Sequence, residues 1–410
     1  MSRESGRVFN RFESPNLENP YPLYQRIRQE APVFFDESLN LWIVSRHQDA
    51  RTVLMDPEAF RSADCLQNPI PPPPEVLAVF MEGYPRLPSL VDDDPPGHTR
   101  VRTLVSKACA PQRFTAMEPD IRALASSLLD AFARDGQGDL VKRFTYPLPA
   151  MVVGGFMGVP VEDMDRLKHW AEELTRLSAG ALTLERQVEC ARSFVAFQRY
   201  LAALVESRRK VPKKDLVSAL IAARHGDYEP LSDLELIALL QTLLFAGHET
   251  TTNLLGNMLV LLLREPERWS ALRAEPGLIP KVIEESLRLD APVQGMMRTA
   301  SREVELAGAR IPAGARVFVL FASANRDEAV FAEPERFEPH RSDVSKHLAF
   351  GQGIHYCIGA QLAKLEARVA LELLGERLPN LRLLPEQDFD YLPNFMHRGP
   401  RRLLAAWDPV

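Results

Sequence analysis

Between Ser232 and about Arg264 the chain is apolar on nearly every face of a 3.6-residue period, interrupted only by a short polar run at its centre. Ser232 and Glu235 have the spacing of a capping box and Pro266 lies just beyond the end, so the pattern predicts one helix, roughly 45–50 Å long at ~1.5 Å per residue. A helix without a polar face has to be buried, in a protein core or in a membrane. The membrane reading fails at Gly247-His248-Glu249-Thr250-Thr251-Thr252-Asn253, which would set a carboxylate and several hydroxyls at mid-bilayer. A central helix of a large fold is left. A second helical pattern runs from Ala360 to about Leu374, with Ile358, Leu362, Leu365 and Val369 on one face. Leu41 to Val44 and Arg316 to Leu320 read as strands, and Gly308 with the turn Ile311-Pro312-Ala313-Gly314 predicts a hairpin ahead of the second. Most other segments, from about Met117 to the Pro400 region, are amphipathic helices bounded by prolines, while Asn68-Pro69-Ile70-Pro71-Pro72-Pro73-Pro74 predicts a loop. The fold class is mainly α with a small β region.

Composition narrows the picture only modestly. The 410 residues are 46% hydrophobic and 25% charged, an ordinary globular balance, and no linker, repeat or low-complexity tract divides them, so a single unit over 1–410 is expected. A net charge of −6 argues against a nucleic-acid partner, which would select a basic patch. The first residues, Met1 to Arg7, are charged and lack the apolar core of a signal or anchor, so a cytoplasmic protein with no membrane partner is expected, as a monomer. Cys65, Cys109, Cys190 and Cys357 are too far apart for a disulfide framework or a zinc site.

Cys357 differs from the other three in its neighbours. It lies in Phe350-Gly351-Gln352-Gly353-Ile354-His355-Tyr356-Cys357-Ile358-Gly359, just where the second helix begins. Unpaired N–H groups and the positive dipole end at a helix N-terminus favour the thiolate, the form that ligates iron. Glycines at 351, 353 and 359 let the backbone turn sharply and lie close to a flat macrocycle, and Phe350 supplies an aromatic wall. A lone cysteine in a glycine-rich turn would more often be inert. This loop resembles the haem-thiolate loop of the cytochrome P-450 superfamily, and the resemblance implies that Cys357 is the metal ligand, with Phe350, Gly351 and Gly359 against the cofactor.

Three further stretches carry the same resemblance. Ala246-Gly247-His248-Glu249-Thr250 resembles the family's oxygen-activation signature, with His248 at its variable position. Small residues at 246 and 247 leave room for dioxygen, Thr250 is placed to hydrogen-bond oxygen or a water, and Glu249 to relay protons. The plainer alternative is a Thr250 hydroxyl bonded back to the preceding turn and a Glu249 that reaches outward. Glu285-Ser286-Leu287-Arg288 and Pro334-Glu335-Arg336-Phe337 together resemble the family's Glu–Arg–Arg triad, which assigns Glu285, Arg288 and Arg336 to structure. Asp94 to Arg102 resembles the segment whose histidine and second arginine meet the haem edge, so His98 and Arg102, with Arg298 and His355 as further candidates, are expected at the propionates.

The resemblance spans about Asn19 to Arg401. It implies the P-450 fold, a mainly α triangular prism holding haem b between the long central helix and the cysteine-bearing helix. It also implies a soluble, bacterial-type monooxygenase that inserts one atom of O2 into a lipophilic small molecule by hydroxylation or epoxidation. A terpenoid, steroid, fatty acid, macrolide or drug-like aromatic all remain open. The chain ends soon after the cysteine helix, so separate electron donors are expected, a ferredoxin and its reductase. Lys364, Arg368, Arg100 and Lys107 are the basic positions that an acidic ferredoxin would meet. Thr242, Phe245 and Ala246 precede Thr250 on its helix face and are expected to line the substrate space. The resemblance adds Val293, Met296 and Met297, and the turn Phe395-Met396. Two rival readings are a peroxide-driven peroxygenase, which does not need Glu249 and Thr250, and a haem carrier or gas sensor, which has no use for a thiolate together with a proton relay.

Overall fold

The capping box closes as its spacing predicts. In the computed structural model, Ser232 N–H donates to Glu235 Oε2 at 2.8 Å, Glu235 N–H returns to Ser232 Oγ at 3.3 Å, and the helix Asp233–Leu263 follows. Residues 9–66, 71–178, 182–385 and 387–409 are described. The chain forms two compact units, each assembled from separate stretches. The central helix passes from one to the other after Thr252.

The first unit contains Met1–Leu66, Asn253–Cys357 and Asn380–Trp407. Its sheet is built from β1 (Val33–Asp36), β2 (Leu41–Val44), β3 (Phe60–Arg61), β4 (Met296–Ala300) and, after the hairpin β5 (Val304–Leu306) and β6 (Ala309–Ile311), β7 (Arg316–Val319). The order is β1-β2-β7-β4-β3, with β2 and β7 parallel and the other neighbours antiparallel. The hairpin turns where the sequence predicts, through Ala307 and Gly308, both at positive φ. Valines at 44, 317 and 319 and Phe60 pack under the helix His47–Met55, through Val53 and Leu54, in one apolar cluster. Burial of this β-branched face fixes the register, because a slip of one residue would turn it to solvent.

The second unit contains Gln67–Thr252, Ile358–Pro379 and Asp408–Val410, and is largely helical. Three residues of the predicted loop, 68–70, lie outside the described residues; from Pro74 onward the chain is already helical, over Pro74–Phe80, because proline at the first helical position loses no hydrogen bond. That short helix lays Val76 and Val79 on Ala191 and Val195 of the helix Leu184–Lys210. The cysteine helix, Ala360–Arg377, is tied to Glu118–Asp130 by Arg368 on Glu118 (2.6 Å) and Arg122 on Glu372. Among the described residues no helix is long and apolar enough to cross a membrane.

Candidate active site

Of the four cysteines, three are buried and Cys357 is half-buried. Burial pushes the Cys109 thiol up to about 12, and burial together with the Glu173 carboxylate pushes Cys190 up to about 11, so neither offers a thiolate. The loop ahead of Cys357 is closed on itself by a hydrogen bond from Cys357 N–H to the Phe350 carbonyl, 2.9 Å long. That closure needs left-handed backbone at Gly351 (φ 70°) and Gly353 (φ 75°), and at 353 a Cβ would also come within 2.5 Å of the Leu54 carbonyl. Gly359 then stands at the N-cap of the cysteine helix. The loop thus presents one sulfur at a helix start and is closed there by a backbone hydrogen bond.

On the central helix the polar run divides by face. His248, Thr251 and Thr252 are buried, whereas Thr242, Glu249 and Thr250 are half-buried and Ala246 is exposed. These four lie at i, i+4, i+7 and i+8, one stripe of the helix. Thr250 Oγ1 donates to the Ala246 carbonyl at 2.5 Å, the back-bond to the preceding turn, and Thr242 Oγ1 lies 3.0 Å from Ser89 Oγ. His248 turns the other way. Its ring meets Tyr146 edge-on with centroids 4.4 Å apart, and its Nε2 lies 3.2 Å from the Tyr146 carbonyl, an acceptor that requires the Nε2–H tautomer. Burial lowers the His248 pKa to about 4, so the ring is neutral at pH 7. Gly247, expected beside Ala246 as room for oxygen, also has a packing reason to be glycine: a Cβ there would run to 2.7 Å from Val153 of the helix Pro147–Met157. Neighbouring helix residues point about 100° apart, so one of the pair faces the open stripe and the other the packing.

The structural triad needs a correction. Glu285 and Arg288 are fully buried and joined by two bonds of 2.8 Å, and the guanidinium also donates to the carbonyls of Asn325, Pro334 and Arg336. The side chain of Arg336 is exposed and engages Glu333 and Glu338 instead. Arg341 supplies the second guanidinium, 3.3 Å from Glu285 Oε1 and 5% exposed. A buried carboxylate beside one arginine still has lone pairs to satisfy, and the arginine that can be sequestered fills them.

Comparison with known proteins decides what this constellation is. The cytochrome P450 family model matches residues 184–390. Cytochrome P450 monooxygenase PikC of Streptomyces venezuelae is 36% identical over 396 residues, 95% of this chain and 91% of that one. Vitamin D(3) 25-hydroxylase of Pseudonocardia autotrophica is 35% identical over 405 residues, 97% of this chain and 96% of the relative. The crystal structure of the Tepidiphilus thermophilus P450 heme domain superposes with a TM-score of 0.94 at 33% identity, covering 98% of this chain and 97% of the other. The chain belongs to the cytochrome P450 family. It is a P450 monooxygenase, and the cofactor of that family is a haem held by a thiolate.

The residues present fit that cofactor in each unit taken by itself. In the first, Cys357 is the half-buried thiol and the positive-φ glycines keep side chains off its loop. In the second, an exposed alanine stands on the stripe of the central helix that also carries the half-buried Thr242, Glu249 and Thr250. Of the residues expected at the P450 propionates, His98 (2% exposed) and Arg102 lie one turn apart on Gly97–Ala108 in the second unit. Arg298 and His355 belong to the first: Arg298 is 5% exposed on β4 and donates to its neighbour's carbonyl, Met297 O, at 2.6 Å, and His355 Nε2 lies 2.9 Å from Ser62 Oγ. Ser62 carries no sequence signal.

Two of the segments expected to bound the P450 substrate, around Val293 and around Phe395, come together within the first unit. Gln294 N–H donates to the Met396 carbonyl at 2.6 Å, Val293 forms an antiparallel bridge with His397, and Arg398 N–H donates to the Pro292 carbonyl at 2.9 Å. Gly295 is glycine because a Cβ would lie 2.5 Å from the Phe318 ring. Met296 and Met297 open β4, where successive side chains point to opposite faces. Met296 packs with Val293 on the sheet's apolar cluster while Met297 is buried opposite Phe318. The two methionines therefore cannot form one wall, as their adjacency in sequence suggested.

Proposed function

We propose that this P450 hydroxylates or epoxidises a bulky lipophilic small molecule, with haem b ligated by Cys357 and electrons delivered by a ferredoxin and its reductase. The observation that carries the reading is the half-buried Cys357 in its closed glycine loop, set against three buried cysteines, in a chain of this family. When bound, the haem supplies activation of dioxygen and transfer of one oxygen atom to carbon, with the second released as water. Cys357 contributes the thiolate, and His98, Arg102, Arg298 and His355 are the proposed partners of the propionates. Thr250 Oγ1 holds a proton that it now lends to the Ala246 carbonyl, and by rotating can offer it across the open stripe. Glu249, one residue earlier on that stripe, resupplies it from outside. Thr242, Phe245, Ala246, Val293, Phe395, Met396 and one of Met296 and Met297 bind the substrate and exclude water.

One feature supports the substrate assignment and another limits how strongly the donor is steered. A relative that covers nearly the whole chain is a vitamin D(3) hydroxylase, and the proposed walls are aromatic and aliphatic with few polar groups. Of the four basic residues expected to meet a ferredoxin, Arg100 is ion-paired with Glu235 and Arg368 holds Glu118 and Glu372, so at least half of that charge is compensated within the second unit. Electrostatic steering of an acidic donor should accordingly be modest. The test is turnover with a ferredoxin, its reductase and NADPH under isotopically labelled dioxygen. One labelled oxygen per product supports the assignment; product formed only with hydrogen peroxide would make the protein a peroxygenase.

A further inference from the structure

The proposed substrate turn is held from below by the far end of the chain. Phe395 packs edge-on against Phe318 with centroids 4.4 Å apart, and two residues of the N-terminal segment close around the pair. Phe9, 1% exposed, lies 6.4 Å from Phe395 and 6.5 Å from Phe318 and stacks on Tyr24 at 6.1 Å; Phe12 lies 5.5 Å from Phe395. Phe9 is fixed in turn by its N–H, which donates to the buried Asp36 carboxylate. Between the two phenylalanines, Arg11 Nη1 donates to the Phe395 carbonyl at 3.0 Å.

Arg11 is an unusual choice for this position. It is 3% exposed, its Nε has no hydrogen-bond partner, and it makes no ion pair with a carboxylate among the described residues. The nearby Asp290 is already engaged by Tyr21, at 2.5 Å, and by Arg398, at 3.2 Å. A buried cation with no carboxylate is destabilising on its own account, and an apolar residue of similar length would suit the fold as well or better. What only a donor at this position supplies is a grip on the Phe395 carbonyl. The same turn is held on its other side by Asn394, whose Oδ1 accepts from Met396 and His397 N–H at 2.9 Å each. The N-terminal clasp therefore sets where the Phe395 ring stands, and the Asn394 turn sets the residues after it.

We infer that Phe9 and Arg11 are specificity-determining positioning residues: by clasping Phe395 from the N-terminal segment they fix one wall of the substrate space and so the site of oxidation. This rests on the reading that Phe395 faces substrate. The test uses the holoenzyme with testosterone as the lipophilic probe and compares Arg11→Met, Arg11→Lys, Phe9→Leu and Phe395→Leu. Arg11→Met should keep its melting temperature, and amide exchange at Met396 and His397 should speed up roughly two- to tenfold, the factor set by one hydrogen bond. Its product ratio should shift by roughly threefold or more, since a displacement of ~1 Å at the reacting carbon changes rates steeply. Phe9→Leu should shift the ratio in the same direction, and Arg11→Lys, which keeps a donor, should restore most of it. If Phe395→Leu alters the products while Arg11→Met and Phe9→Leu leave both products and exchange unchanged, the clasp is refuted and the substrate turn stands. If Phe395→Leu also leaves testosterone binding and products unchanged, the turn does not face substrate and both readings fall.

Discussion

Arg341 completes the buried Glu285 carboxylate at 3.3 Å, while the side chain of Arg336 lies exposed. Removing one partner of a fully buried pair leaves the other charge uncompensated, so Arg288→Ala should lose about 3–5 kcal/mol of stability in chemical denaturation. Arg341→Ala should lose about 2 kcal/mol, the range for a charge-assisted hydrogen bond. Arg336→Ala should lie within about 0.5 kcal/mol of the parent, as exposed substitutions do. A larger loss at 336 than at 341 would show that the triad is closed by the other arginine.

Thr250 has its hydroxyl on the Ala246 carbonyl at 2.5 Å and must release that bond to hand a proton elsewhere. Thr250→Ala should bind haem and substrate as the parent does. Product formed per NADPH should fall by roughly 10- to 100-fold, with hydrogen peroxide appearing instead. Thr250→Ser should keep most of the coupling. A fully coupled Thr250→Ala variant would remove the hydroxyl from the proton path.

His248 predicts an acid-side loss of stability. Burial lowers its pKa from 6.5 to about 4, so on acidification the unfolded chain takes up a proton first, while the folded protein holds the ring neutral. The stability is fully present above about pH 6.5 and is lost as pH falls toward about 4, by on the order of 3 kcal/mol in total. His248→Gln, which can still donate to the Tyr146 carbonyl, should flatten the curve between pH 7 and pH 5 in denaturant titrations. An unchanged slope would mean that His248 is not the group responsible.

Glu366 predicts the opposite slope. It is 1% exposed on the cysteine helix, its Oε2 has no hydrogen-bond partner, and burial raises its pKa well above 4.5. The folded protein keeps this proton when the unfolded chain has released it, so the contribution is whole below 4.5 and falls as pH rises. Glu366→Gln should be more stable than the parent at pH 8 and indistinguishable near pH 4. Destabilisation of that variant at pH 8 would show that the carboxylate has a partner which needs its charge.

The parts of the fold that were legible in sequence are those governed by local rules. Ser232 and Glu235 announced the central helix within a residue of its true start, Gly308 announced the hairpin, and the glycines around Cys357 announced its loop. Long-range partners were not legible. Arg341 lies 56 residues from Glu285, and nothing local distinguishes it from Arg336. Arg11 and the Phe395 carbonyl are 384 residues apart, a contact that only the folded chain reveals. That Gly247 also makes room for Val153 was not legible either, because composition shows that a residue is small but not which neighbour requires it. Met296 and Met297 misled for a related reason: adjacency on a strand separates side chains.

Cys357 is the proposed thiolate that holds the haem, and every other assigned role depends on it. The reduced holoenzyme under carbon monoxide should show the strongly red-shifted Soret band of a thiolate-ligated haem, and Cys357→His should abolish it, while Cys65→Ala, Cys109→Ala and Cys190→Ala keep it. Retention of that band, unchanged, by Cys357→His would contradict the assignment and with it the mechanism built on this loop.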